Sequence, residues 1–111
     1  MAKKIETVEV GTDNVFRDLG YADAGERKLR VQLAMRVNEL IKESSLTQVK
    51  AAALFGIPQP HVSELKHYRL NRFSSERLMH FMTLLDRDVE IVIRPRDAAR
   101  AKGQVSVFFT V

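Results

Sequence analysis

The stretch 47-TQVKAAALFGIPQPHVSELK-66 places three alanines in a row ahead of a glycine and two prolines one residue apart. A single helix cannot run through it. Each interior proline deletes a backbone hydrogen bond and clashes with the preceding turn, at about 3 kcal/mol apiece. The stretch therefore reads as two helices. The first runs from Gln48 to about Leu54, with Thr47 as N-cap and Leu46 positioned to staple onto Ala51. Gly56 takes the left-handed conformation that lets the chain reverse. Pro58 and Pro60 fall in the turn and in the first turn of the second helix, where proline is tolerated, and that helix continues through Lys66. Ala51 and Ala52 allow a close crossing of the pair, and Phe55, Ile57, Val62 and Leu65 close the core between them.

Outward from this pair, the chain supplies more helices. Residues 23–45 carry Leu29, Leu33, Val37, Leu40 and Ile41 at helical spacing, with Asp23 as N-cap. Val31 and Met35 form a second apolar stripe on it. A short helix over 13–20, with Val15, Phe16 and Leu19, is one cover for that stripe; a dimer contact is the other. Residues 73–85 begin with Ser74 as N-cap and Phe73 placed to staple onto Leu78, and the stripe Leu78, Phe81, Met82 and Leu85 faces the core. From Asp88 the character changes: 89-VEIVIR-94 and 105-VSVFFTV-111 are β-branched and read as two strands of a hairpin. The expected fold is mainly α: a helix-turn-helix bundle of four to five helices with a short C-terminal β-hairpin. It divides into an N-terminal arm over 1–22, a helix-turn-helix domain over 23–86 and a strand pair over 87–111 that is a candidate dimerisation element.

With 111 residues, 45% of them apolar and 29% charged, the chain has room for one core. It has no cysteine, which removes disulfides and thiolate metal sites and favours a reducing, cytoplasmic setting. No apolar run approaches the roughly 20 residues of a membrane span, and MAKKIETVEV lacks the apolar core of a signal peptide. His61, His67 and His80 offer no pair four residues apart on one helix face, so zinc is not expected. No glycine loop cradles phosphate and no serine or histidine is placed for nucleophilic work. Neither a cofactor nor an enzymatic activity is expected.

The net charge is +4. Between Thr47 and Arg77 the bases Lys50, Lys66, Arg69, Arg72 and Arg77 outnumber Glu64 and Glu76. The second helix of the quoted pair keeps Gln59, His61, Ser63, Glu64 and Lys66 for its polar side. Donors and acceptors on an outward helix face, flanked by bases, are what reading a DNA major groove requires. An αα-hairpin with a merely solvated face satisfies the same pattern and would make the chain a protein-interaction module.

The run TQ-x3-A-x3-G-I-x-Q-x2-VS-x-L, Thr47 to Leu65, resembles the helix-turn-helix of the phage-repressor-like (lambda repressor-like) bacterial regulators, the XRE or Cro-like family. The words 14-NVFRDLG-20, 33-LAMRV-37, 73-FS-x2-RL-78 and 88-DVEIVIRP-95 resemble one branch, antitoxins of type II toxin–antitoxin modules of the HigA kind, along with stand-alone XRE-type regulators. The resemblance implies a homodimeric repressor of a palindromic double-stranded DNA operator, in the antitoxin case with a cognate toxin protein as second partner. It implies that Gln48 anchors a phosphate and that Gln59, Pro60, His61 and Glu64 face base edges. Ser63, Lys66 and Arg69 would sit nearer the DNA backbone, and Arg72 is a further candidate DNA-binding residue. Lys50 stands where the family often has a Glu, which removes a capping box and adds a phosphate contact. Pro60 offers the bases no hydrogen-bonding side chain, so Gln59, His61 and Glu64 are expected to carry the specificity.

Overall fold

The computed structural model describes residues 5–9 and 24–110. Its elements are β1 (Ile5–Glu9), α1 (Ala24–Glu43), α2 (Gln48–Phe55), α3 (Gln59–Lys66), α4 (Ser75–Leu84) and β2 (Ser106–Thr110). Residues 33–90 make one compact unit, and Met1–Gln32 with Ile91–Val111 make another. Among the described residues no helix is long and apolar enough to cross a membrane.

The helical unit holds the core. Leu33, Ala34, Val37 and Leu40 of α1, Ala51, Ala52 and Phe55 of α2, Val62 and Leu65 of α3, and Leu78, Phe81 and Met82 of α4 are all buried, as are Leu70 and Phe73 in the loop before α4. No polar or charged residue among the described ones is buried. The helix starts read at Thr47 and Ser74 are present, and the N-cap expected at Asp23 lies outside the described residues. Thr47 Oγ1 accepts from the Lys50 amide at 3.2 Å and Ser74 Oγ accepts from the Arg77 amide at 3.1 Å. Such caps satisfy amides that the first turn leaves unpaired, about 1 kcal/mol each.

All four described helices end alike. Ser45, Gly56, Tyr68 and Asp86 take φ of 54°, 68°, 60° and 62°. The amide after each reaches back five residues: Leu46 to Ile41, Ile57 to Ala52, Arg69 to Glu64 and Arg87 to Met82, at 2.9 to 3.1 Å. This is the left-handed helix stop that glycine suits best, because a Cβ crowds the backbone there. Only one of the four positions is glycine.

The second unit contains an antiparallel two-stranded sheet with register Ile5↔Thr110 through Glu9↔Ser106. Here the structure corrects the expected C-terminal hairpin. Residues 106–110 do form a strand, but its partner is β1 from the N-terminal arm, and 89–94 forms no strand. Consecutive strands usually pair, which is why 89–94 was the natural partner. The loop instead tightens into a turn at 97–100, where the Arg100 amide bonds Asp97 O at 3.0 Å and the Ala99 amide bonds Asp97 Oδ1 at 2.9 Å. The β-branched Ile5, Thr7 and Val8 supply a competing strand, and Ile91, Val92 and Ile93 are left 75%, 80% and 92% exposed. The short helix expected over 13–20 lies outside the described residues. Val31 and Met35 are about 40% exposed.

Candidate nucleic-acid interface

The helix pair α2 and α3 is built as its sequence requires. Gly56 ends α2 in the left-handed region, Pro58 serves as N-cap residue of α3 without a side-chain cap, and Pro60 sits in the first turn. With no amide on Pro60 and the His61 amide bonded to Pro58 O at 2.9 Å, the start of α3 has few free donors for a phosphate. An anion at this end would have to be held by side chains.

Val62 and Leu65 turn inward, 2% and 0% exposed. Gln59, Pro60 and Lys66 are exposed, and His61, Ser63 and Glu64 are half-buried. These six residues lie together on α3. On α2, Gln48 is half-buried in the first turn and Lys50 is exposed three residues beyond the Thr47 cap. Arg69 and Arg72 are exposed in the loop after α3.

Three details sharpen the side chains. His61 Nδ1 is buried with no hydrogen-bond partner, so a base contact from this ring falls to Nε2. His67 Nδ1 lies 2.8 Å from Ser63 O; a carbonyl only accepts, so Nδ1 carries the proton and the ring is fixed against the end of α3. Glu64 is not free. Arg72 Nε donates to its Oε2 at 2.8 Å, which holds the carboxylate and one basic group as a pair.

Two supporting residues have no part in the sequence-derived site. Asn38 on α1 donates from Nδ2 to Leu65 O at 3.2 Å, satisfying a carbonyl in the last turn of α3. Arg77 Nη1 donates to Arg72 O at 3.0 Å, while its guanidinium carbon lies 5.2 Å from the Phe73 ring centre and 5.6 Å from that of Phe81. Cation–π attraction and the hydrogen bond together pin the loop that carries Arg72. The only signal for Asn38 in the sequence is a polar residue beside the buried Val37; Arg77 was visible as one base among five. Beneath them Phe55 stacks on Phe81 at 4.3 Å between ring centres, and Phe73 meets Phe81 edge-on at 6.0 Å. The three rings therefore form one packed aromatic cluster that joins α2, α4 and the loop before α4.

A helix-turn-helix domain family matches residues 15–94, most of the chain. A solved structure named Putative XRE Family Transcriptional Regulator is similar at 48% identity and a TM-score of 0.74, covering 77% of this chain and 96% of that one. The chain belongs to the XRE family of helix-turn-helix transcriptional regulators. The family is one of regulators and not of enzymes. No curated protein matches the sequence. In this XRE-family regulator the matched region takes in all four described helices and runs on through the exposed segment that ends at Arg94.

Proposed function

We propose that this regulator is a sequence-specific repressor that lays α3 in the major groove of a palindromic operator, one α3 from each subunit of a homodimer. The observation that carries the reading is the division of labour on α3: Val62 and Leu65 are committed to the core while Gln59, Pro60, His61, Ser63, Glu64 and Lys66 stay accessible on the same helix. Gln59 can bond adenine through two hydrogen bonds, and His61 can donate to a purine from Nε2. Glu64 can accept from cytosine with the oxygen that Arg72 leaves open. In this reading Gln48, Lys50, Ser63, Lys66, Arg69 and Arg72 would hold phosphates, with residues 23–86 as the reading domain, 1–22 as an arm and 87–111 as the dimerisation element. Twofold symmetry then sets the half-sites one DNA turn apart, roughly 34 Å.

Binding to the DNA upstream of its own gene tests this. Lys50, Lys66, Arg69 and Arg72 supply eight phosphate-facing cations per dimer, so affinity should fall roughly 10³-fold or more between 50 and 200 mM salt. A shallow dependence on salt removes the reading.

A second reading, antitoxin of a type II module, is supported by the four sequence words shared with that branch, 14–20, 33–37, 73–78 and 88–95, all of which lie outside the reading pair. Co-expression with the neighbouring reading frame decides it. Growth arrest by a small, basic, RNase-like neighbour, relieved by this chain, supports the antitoxin; a harmless neighbour leaves a stand-alone regulator.

A further inference from the structure

We infer that 88-DVEIVIR-94 is the subunit contact: it pairs antiparallel with the same segment of a second copy, centred on Ile91. This rests on the homodimer reading and names the surface that makes it. Ile91, Val92 and Ile93 are 75%, 80% and 92% exposed, and among the described residues the segment joins no strand. An unpaired run of β-branched residues with open backbone groups is a template for another strand.

The segment is complementary to itself. With Ile91 opposite Ile91 of the second copy, Val89 stands opposite Ile93 and Asp88 opposite Arg94, twice over by symmetry. Alternation puts Val89, Ile91 and Ile93 on one face, wholly apolar, and Asp88, Glu90, Val92 and Arg94 on the other. Neither Asp88 nor Arg94 joins an ion pair among the described residues, so both are available for this one. Parallel pairing in register would set Asp88 on Asp88 and Arg94 on Arg94, and like charges directly opposite are destabilising. A slip by one residue mixes the two faces. A shift of the centre to Val92 keeps opposite charges but draws Pro95 into the ladder opposite Val89, and proline belongs at strand ends.

The test uses the full chain and its dimer dissociation constant by sedimentation equilibrium. Asp88→Arg and Arg94→Asp should each raise that constant roughly tenfold or more, since two opposed pairs per dimer turn repulsive. Mixed one to one, the two variants should associate again, because every Arg then faces an Asp. The chain lacks cysteine, so Ile91→Cys gives one thiol per subunit and should crosslink under mild oxidation. Val92→Cys should not: its counterpart lies diagonally, at about 7 to 8 Å, beyond disulfide reach. Unchanged helical circular dichroism confirms folding. Single variants that dimerise as tightly as the parent, a mixture that stays dissociated, or faster crosslinking at 92 each overturn the pairing. If those dimers still protect a two-half-site operator, the repressor reading stands and only this contact fails. A parent chain that stays monomeric on a single half-site overturns the homodimer itself.

Discussion

Arg72 Nε donates to Glu64 Oε2 at 2.8 Å, so the carboxylate near the end of α3 and a cation of the following loop form one unit. The Arg72 and Glu64 side chains are 51% and 29% exposed, respectively, and water screens the pair, so its share of folding stability is below about 1 kcal/mol. Its consequence lies in DNA binding. Glu64 holds Arg72 at the edge of α3, and Arg77 holds the Arg72 carbonyl from the other side. Glu64→Ala and Arg72→Ala should therefore be non-additive on the operator. A double-mutant cycle by fluorescence anisotropy is expected to give a coupling of about 0.5 kcal/mol or more. Simple additivity would mean that the pair does not persist on DNA.

Tyr68 ends α3 with φ of 60°, the conformation in which a Cβ costs roughly 1 kcal/mol or more. Tyr68→Gly should relieve it, less the added freedom of the unfolded chain, for a net gain of about 0.5 kcal/mol in urea unfolding. Gly56→Ala should do the reverse. A Cβ at Gly56 meets no atom within 4 Å, so the loss there, about 1 kcal/mol, is purely a backbone effect. A stabilised Gly56→Ala would contradict this account of the turn.

These helix ends also mark how far the sequence could be read. Gly56 announced its turn because glycine alone adopts that conformation without cost. Ser45, Tyr68 and Asp86 do the same work, but ordinary side chains carry no such signal, and the surrounding packing imposes the conformation on them. Thr47 and Ser74 were legible because capping is chemistry between near neighbours. The partner of 106–110 was not, since pairing with β1 spans almost the whole chain and no local pattern encodes it. Residues 89–93 were legible as β-branched yet not as unpaired, for the same reason. At the site, α3's inward Val62 and Leu65 followed from periodicity. The engagement of Glu64 by Arg72 depended on a loop fold eight residues away.

The cluster of Phe55, Phe73 and Phe81 gives a stability prediction. Phe81 is 1% exposed, stacked on Phe55 and met edge-on by Phe73. Phe81→Ala removes the ring that joins the other two and a partner of the Arg77 guanidinium, and should cost about 3 to 5 kcal/mol. Phe81→Leu keeps most of the volume and should lose clearly less in the same thermal or urea titration. Equal losses from the two would place the energy in ring stacking rather than in filled volume.

Gln59 and His61 decide whether α3 reads bases. Gln59 is exposed at the first helical residue, where its side-chain amide can project toward a base edge. His61 follows one residue after Pro60, its Nδ1 buried and its Nε2 left for contact. Neither residue belongs to the buried core, so truncating either should leave unfolding within about 0.5 kcal/mol of the parent. On the operator each should cost about 1 to 3 kcal/mol and relax the preference at one base position per half-site. On random DNA, where the proposed phosphate contacts from Lys50, Lys66, Arg69 and Arg72 would dominate, the loss should be small. Lys66→Ala provides the contrast: it should weaken specific and random DNA alike and lower the salt slope by about 1 per subunit. If Gln59→Ala and His61→Ala behave as Lys66→Ala does, they belong to the phosphate-facing set, and base reading passes to Glu64 and its neighbours.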